Sequence, residues 1–214
     1  MDAAGRVLVI ACGALAREIM ALKRANGWDG MDVTCLPPEL HNRPERIPES
    51  VANAIREARQ THTRMFVAYA DCGTGGALDR VLQAEGVERL PGAHCYEFFA
   101  TSPEFMALHD AEPGTFYLTD FLVRHYERLV EVGLGMDRHP ELAREYFRHY
   151  RRVVYLVQAP DAQLSAQAAA IAVRLGLGYE ERRTGYGDLA STLAGVAHRA
   201  GNEMVIEPPR SLRG

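Results

Sequence analysis

The chain has 214 residues, 47% apolar and 24% charged, with a formal charge of −4. This excludes a disordered, collagen-like or coiled-coil chain and leaves one large domain or two packed halves. The slightly acidic balance offers no global field for nucleic acid or an anionic membrane, so neither is expected as a partner. No stretch approaches the ~18 apolar residues of a membrane helix, and the apolar run Val7 to Ala11 is shorter than a signal-peptide core. The expectation is a cytoplasmic protein. Four cysteines then fit reduced thiols, to be read as ligands, nucleophiles or small core residues.

In chain order, the dominant pattern is a short apolar run, a glycine or small-residue turn, then a helix. Residues 6–11 predict a strand that leads into Cys12-Gly13 and a helix from about Ala14 to Asn26. A strand at Asp32 to Leu36, a proline-punctuated loop through His41 to Pro48 and a helix to about Arg59 follow. Residues 64–69 form the next strand, ahead of Asp71-Cys72-Gly73-Thr74-Gly75-Gly76 and a helix over 77–84. The middle third reads as a short helix at Cys95 to Ala100, a strand at Thr115 to Leu118, and helices at Asp120 to Val132 and Pro140 to Arg152. Val153 to Val157 is a further strand, with helices to about Arg174 and, after Gly185-Tyr186-Gly187-Asp188, to Val196. Continuous apolar strands alternating with helices predict an α/β fold: mostly parallel sheet or sheets with helices on both faces, compatible with two Rossmann-like halves. The organisation expected is a single two-lobed domain over 1–205 and a polar tail over 206–214.

In such folds ligands bind outside the carboxyl ends of the strands. Cys12 ends the first strand, and Asp71 and Cys72 follow the strand over 64–69. Both cysteines also precede helices, where the dipole favours the thiolate needed for ligation or attack. His94-Cys95 adds a second soft pair at a loop-to-helix junction, and His41 lies in a stiff polar loop. Cys12, Cys72 and Cys95 with His94 or His41 make an N/S donor set of the kind that zinc prefers, and three cysteines also suit an iron–sulfur cluster. The same cysteines read equally as small residues that allow close strand-to-helix packing. Cys35, within its strand, reads as a core thiol. Gly73, Gly75 and Gly76 resemble a phosphate-cradling loop, without the lysine of a P-loop. They are retained with His41 as candidate cofactor-binding residues. Arg144, Arg148 and Arg151 share one helical face, normally a solvated one.

The ordered set Ala11-Cys12-Gly13 with Arg17-Glu18-Ile19, Leu36-Pro37-Pro38-Glu39-Leu40-His41-Asn42, Asp71-Cys72-Gly73-Thr74-Gly75, His94-Cys95 and Pro113-Gly114-Thr115-Phe116-Tyr117-Leu118-Thr119 resembles domain-of-unknown-function family 1638. The resemblance covers about residues 6–195. It implies a prokaryotic α/β protein in the context of corrinoid-dependent one-carbon metabolism, with Cys12, Cys72 and Cys95 acting together. The mechanism that follows is a zinc ion, held by three thiolates or by two thiolates and a histidine, which lowers the pKa of a small-molecule thiol substrate so that it attacks a methyl group. Glu97 or Asp71 would orient ligands or move a proton. The sequence lacks the Asp-x-His-x-x-Gly corrinoid motif, so a corrinoid-protein partner would deliver the methyl group. The competing expectation is a metal carrier or accessory protein of a methyltransferase system.

Overall fold

The computed structural model describes residues 5–199, and the tail expected over 206–214 lies outside them. The chain divides into two compact units, one holding residues up to Cys95 together with those from Asp188, the other holding Tyr96 to Gly187. Each contains its own all-parallel sheet, so the expected α/β class is observed as two sheets flanked by helices.

The first unit is built around β1 (Val7–Cys12), whose six residues are all buried. That continuous apolar run suits a central parallel strand covered on both faces. β2 (Met31–Leu36) and β3 (Arg64–Ala68) flank it in parallel, with Ala11 opposite Cys35 on one side and Ala68 on the other. β4 (Glu88–Arg89) completes the order β2-β1-β3-β4. Helices α1 (Ala16–Ala25), α2 (Ile47–Ala58) and α3 (Ala77–Glu85) connect the strands. Ile19, Leu22, Ile47, Ile55 and Leu78 fill the core with Trp28 and Met31. Gly86, left-handed at φ 63°, stops α3 where a side-chain-bearing residue would be strained. At the opposite end from the strand carboxyl termini, Asp32 accepts hydrogen bonds from Arg6 Nε at 2.6 Å and pairs with His62 Nε2 at 3.0 Å. Cys35 corrects an expectation: β2 is an edge strand, and Cys35 is exposed on it instead of lying in the core. The helix α9 (Gly187–Arg199) returns to this unit from Asp188 and buries Leu189, Leu193 and Val196.

In the second unit β5 (Thr115–Thr119), β6 (Arg152–Val157) and β7 (Gly178–Arg183) run parallel in that order. α4 (Cys95–Ala100) begins at the junction of the units and α5 (Ser102–Ala111) follows it. Alternate strand residues face opposite ways. Leu118, Val153, Tyr155 and Val157 pack with α6 (Asp120–Arg124) and α8 (Ala162–Leu175), while Tyr117, Val154 and Leu156 pack with Ala100 and Phe105. The carboxyl ends of β5 and β6 are tied by buried Asp120, which accepts from the Tyr155 hydroxyl at 2.8 Å and from the Gln158 and Ala159 amides at 3.1 Å each.

Two expected helices are shorter than the pattern suggests. The one predicted over Asp120 to Val132 breaks into α6 and a π-helical turn, Glu127–Val132. The one predicted over Pro140 to Arg152 is α7 (Glu141–Phe147) and ends because the Arg151 and Arg152 amides turn to the Gly114 carbonyl, at 2.7 and 3.3 Å, which starts β6. α5, β4 and β7 were not legible: β7 is the charged sequence Gly-Tyr-Glu-Glu-Arg-Arg, an edge strand without apolar alternation.

Candidate metal centre

All four strands of the first sheet end on the same edge, and each sends one soft donor to it. Cys12 is the last residue of β1, His41 lies in the 3-10 turn Pro38–Asn42 that follows β2, Cys72 follows β3, and Cys95 follows β4. Read across the sheet, the donors stand in the order His41, Cys12, Cys72, Cys95. β1 and β3 leave their connections on opposite sides, so Cys12 and Cys72 flank the crevice where an open α/β sheet takes its ligand.

Local chemistry sets each side chain. Gly13 lets the end of β1 meet the His41 loop: a Cβ there would sit 3.0 Å from both the Leu36 carbonyl oxygen and Pro38 Cδ. Cys12 Sγ accepts the Ala14 amide at 3.3 Å, the N-cap of the turn Gly13–Leu15. Cys72 has the left-handed φ of 50°, an uncommon and strained state for a residue with a side chain. That strain is held by the Cys72 amide donating to Ala93 O at 2.9 Å and the Asp71 amide donating to Gly92 O at 3.2 Å. Arg89 fixes the same segment, donating to Leu90 O at 2.6 Å and Gly92 O at 3.3 Å while it grips Asp79 with two further nitrogens. This zip sets Cys72 beside Cys95.

The result is a group in which the ligand atoms of His41, Cys72 and Cys95 all lie within 4.8 Å of one another. Cys72 Sγ and Cys95 Sγ are 3.4 Å apart, and Cys12 Sγ is 3.7 Å from His41 Nδ1. Ligand bonds of 2.0–2.3 Å give a tetrahedral site edges of about 3.3–3.8 Å, so the Cys72–Cys95 separation fits two thiolates on one ion, while Cys12, beside His41 Nδ1, is not among the three residues whose ligand atoms gather. His41 Nδ1 also lies 3.2 Å from Pro38 O. A carbonyl only accepts, so Nδ1 carries a proton, and Nε2, once deprotonated, is the atom left to ligate, the usual way a backbone carbonyl orients a ligating imidazole. The electrostatics match. Burial works against a charge on His41, but the Cys12 and Cys72 sulfurs outweigh it and push its pKa up to about 11. Sharing with Cys95, and then burial, hold Cys72 well above the ordinary thiol range, although His41 opposes both. A cation bound here would have to displace these protons, so its affinity would rise with pH.

The other expected site residues stand elsewhere. His94 is exposed and outside the group, whose imidazole is His41. The Asp71 carboxylate accepts from the Thr74 hydroxyl at 2.6 Å and from the Gly76 and Gly75 amides at 2.8 and 3.1 Å. Burial opposes its ionisation, but these donors prevail and lower its pKa. The amides of Gly75 and Gly76, which would cradle a phosphate, are thus filled by the loop's own carboxylate. Gly73, Gly75 and Gly76 all have positive φ and serve the turn that carries Cys72. Glu97, in the second unit, accepts the Ser102 hydroxyl at 2.5 Å at the start of α5. Gly187 is required for close approach: a Cβ would collide with the Phe98 and Phe99 carbonyls. Tyr69, directly after β3, is a site neighbour that the sequence pattern alone does not single out. Its ring stacks on His41 at 6.1 Å, and its one signal in the sequence is its place between the strand and Asp71-Cys72.

The fold and this edge define a parallel α/β protein with a thiol–imidazole group that can hold a metal ion. Residues 35–193 match the family model described as protein of unknown function (DUF1638), and the chain belongs to that family. His41, Cys72, His94 and Cys95 fall inside the match, and Cys12 lies ahead of it. No curated protein matches the chain. Among the described residues, no helix is long and apolar enough to cross a membrane.

Proposed function

We propose that this chain is a metal-dependent protein of one-carbon metabolism that holds zinc through His41, Cys72 and Cys95 and activates a thiol substrate for methyl transfer. The observation that carries the reading is the convergence of these three donors within 4.8 Å at the carboxyl edge of the sheet. One nitrogen and two sulfurs suit zinc, and sulfurs 3.4 Å apart suit two ligands on one ion. A four-iron cluster, with one cysteine on each iron, spreads its thiolates further, so the spacing favours a single ion.

His41, Cys72 and Cys95 would hold the ion through three ligands, one fewer than a structural zinc site, which would leave room for a substrate atom. The metal would supply Lewis acidity that lowers the pKa of a thiol bound there. The Pro38 carbonyl fixes the His41 ring, and Cys12 backs its Nδ1 edge. A thiol bound there would release its proton to solvent, and its sulfur lone pair would form the S–CH3 bond. The bond from methyl to donor breaks, and its electron pair stays on the donor. The resemblance supports a methylated corrinoid on a partner protein as that donor. The reading is of a cytoplasmic protein with a small-molecule thiol as substrate.

The test is metal and acid-labile sulfide content of protein purified without oxygen, beside the Cys72→Ser/Cys95→Ser variant. One zinc per chain, no sulfide, loss in the variant, and methylation of thiols by methylcobalamin are expected. No metal in either preparation overturns the reading. Stoichiometric metal that passes readily to a chelator, without methyl transfer, supports the second reading instead: a metal carrier or accessory protein of a corrinoid methyltransferase system. The three-ligand set favours that reading too, since it closes less tightly on an ion than four ligands do.

A further inference from the structure

Cys72 and Cys95 are held side by side by the backbone as well as by their own side chains. Their sulfurs are 3.4 Å apart, although 23 residues separate them in the chain. The segment after β4 is stitched to the segment after β3: the Asp71 and Cys72 amides donate to Gly92 O and Ala93 O, and the Leu90 amide donates to Val67 O at 3.0 Å. Arg89 braces the same turn through Leu90 O and Gly92 O. Within this stitching Cys72 keeps its left-handed φ of 50°, a backbone state that persists only where the surroundings enforce it. A disulfide bond is about 2.05 Å long, so the two sulfurs have to close by roughly 1.4 Å, a distance that rotation of either side chain can supply. Exposure divides the pair. Cys72 is buried and Cys95 is part-exposed, so a small reagent meets Cys95 first.

We propose that Cys72 and Cys95 are a dithiol that a low-molecular-weight disulfide oxidises to an intramolecular disulfide, with Cys95 the entry point and Cys72 the resolving thiol. The Cys95 thiolate attacks one sulfur of the reagent, the reagent's S–S bond breaks, and one half leaves as a thiolate that takes up the proton Cys95 gave up. The Cys72 thiolate then attacks the Cys95 sulfur of the mixed disulfide, and the second half leaves and takes up the Cys72 proton. The two cysteines lose two electrons between them, and the reagent gains both as two free thiols. Cys12, placed beside His41 Nδ1 at 3.7 Å, stays out of the exchange. This chemistry stands apart from the metal reading. Its consequence for the ion rests on that reading: thiolates ligate and disulfide sulfurs do not, so an ion held by His41, Cys72 and Cys95 loses two of its three donors and is released.

The experiment uses the full chain carrying Cys35→Ser, so that the exposed thiol of the edge strand takes no reagent. The reduced protein, metal-free or loaded with zinc, is treated with oxidised glutathione, quenched with a maleimide, and read by thiol counting and peptide mass spectrometry. The metal-free chain is expected to lose two thiols, joined as a Cys72–Cys95 peptide pair with no glutathione retained, and dithiothreitol is expected to restore both. Adding Cys72→Ser should stop the exchange with glutathione on Cys95, whereas adding Cys95→Ser should leave Cys72 unmodified. The zinc-loaded chain should release one zinc for each disulfide formed, measured with a chromophoric chelator. Glutathione retained on Cys95 while Cys72 is intact, or a disulfide made through Cys12, overturns the proposal and leaves the metal reading standing. A Cys72–Cys95 disulfide in a chain whose reduced form binds no zinc upholds the dithiol and removes the metal reading.

Discussion

Gly13→Ala tests the close approach on which the candidate metal centre depends. The added Cβ would lie 3.0 Å from the Leu36 carbonyl oxygen and 3.0 Å from Pro38 Cδ. One is backbone at the end of β2, and the other is a ring at the start of the turn that carries His41, so neither can rotate away. Carbon contacts relax at ~3.5–4.0 Å, and the His41 loop must therefore shift by about half an ångström. Overpacking of this kind costs about 1–3 kcal/mol. With a urea slope of ~1–3 kcal/mol/M, the midpoint of the metal-free protein should fall by roughly 0.5–1.5 M. The effect on the site is larger in proportion. A metal site tolerates only about 0.2 Å in its ligand distances, and loss of an orienting neighbour commonly lowers affinity ~10–100-fold. Zinc affinity is to be measured by competition with a chromophoric chelator, with Gly5→Ala as the control, since its added Cβ would meet nothing within 4 Å. A midpoint within about 0.2 M of wild type together with zinc affinity within about twofold would refute the reasoning.

Asp120→Ala should destabilise the chain by about 3–5 kcal/mol, because the Tyr155 hydroxyl and the Gln158 and Ala159 amides lose a buried acceptor together. Asp120→Asn should cost less, and a urea midpoint for the alanine variant near that of wild type would show that the brace is dispensable. The Arg6 guanidinium, helped by His62 and opposed by burial, holds the Asp32 carboxyl below the usual range. A depressed folded-state pKa means stability that is present above the unfolded value of 3.8 and lost as pH falls toward the folded one. The gap in urea midpoint between wild type and Asp32→Asn should therefore be full at pH 7 and shrink below about pH 4. A gap that stays constant down to acid pH would mean that the carboxylate charge is not its source.

The α/β class, most strands and helices, and the carboxyl-edge location of Cys12 and Cys72 were legible in the sequence because they rest on local causes. A buried parallel strand needs an unbroken apolar run, as in Val7 to Cys12, and a chain that ends such a strand with Cys-Gly leaves its thiol at the edge. β7 and β4 were illegible for the converse reason. An edge strand of charged residues and a two-residue strand are defined by pairing to a neighbour, not by their own pattern. The same holds for the end of α7, which is decided by a carbonyl at Gly114.

What the sequence by itself determined was the donor inventory and part of its placement: Cys12 at the end of one strand, His41 and Cys72 after two others, and His94-Cys95 at a loop-to-helix junction. Only the tertiary structure decided which of them meet. Sheet order places the end of β2 beside β1 and that of β4 beside β3, and it is this order that joins His41 to Cys12 and Cys72 to Cys95 across 29 and 23 residues. It also left His94 exposed beside its neighbour and closed the glycine loop on Asp71. Spacing along the chain carries no trace of this, because a parallel sheet brings its strand ends together through crossovers of any length, and the distance between two side chains is then a property of the sheet.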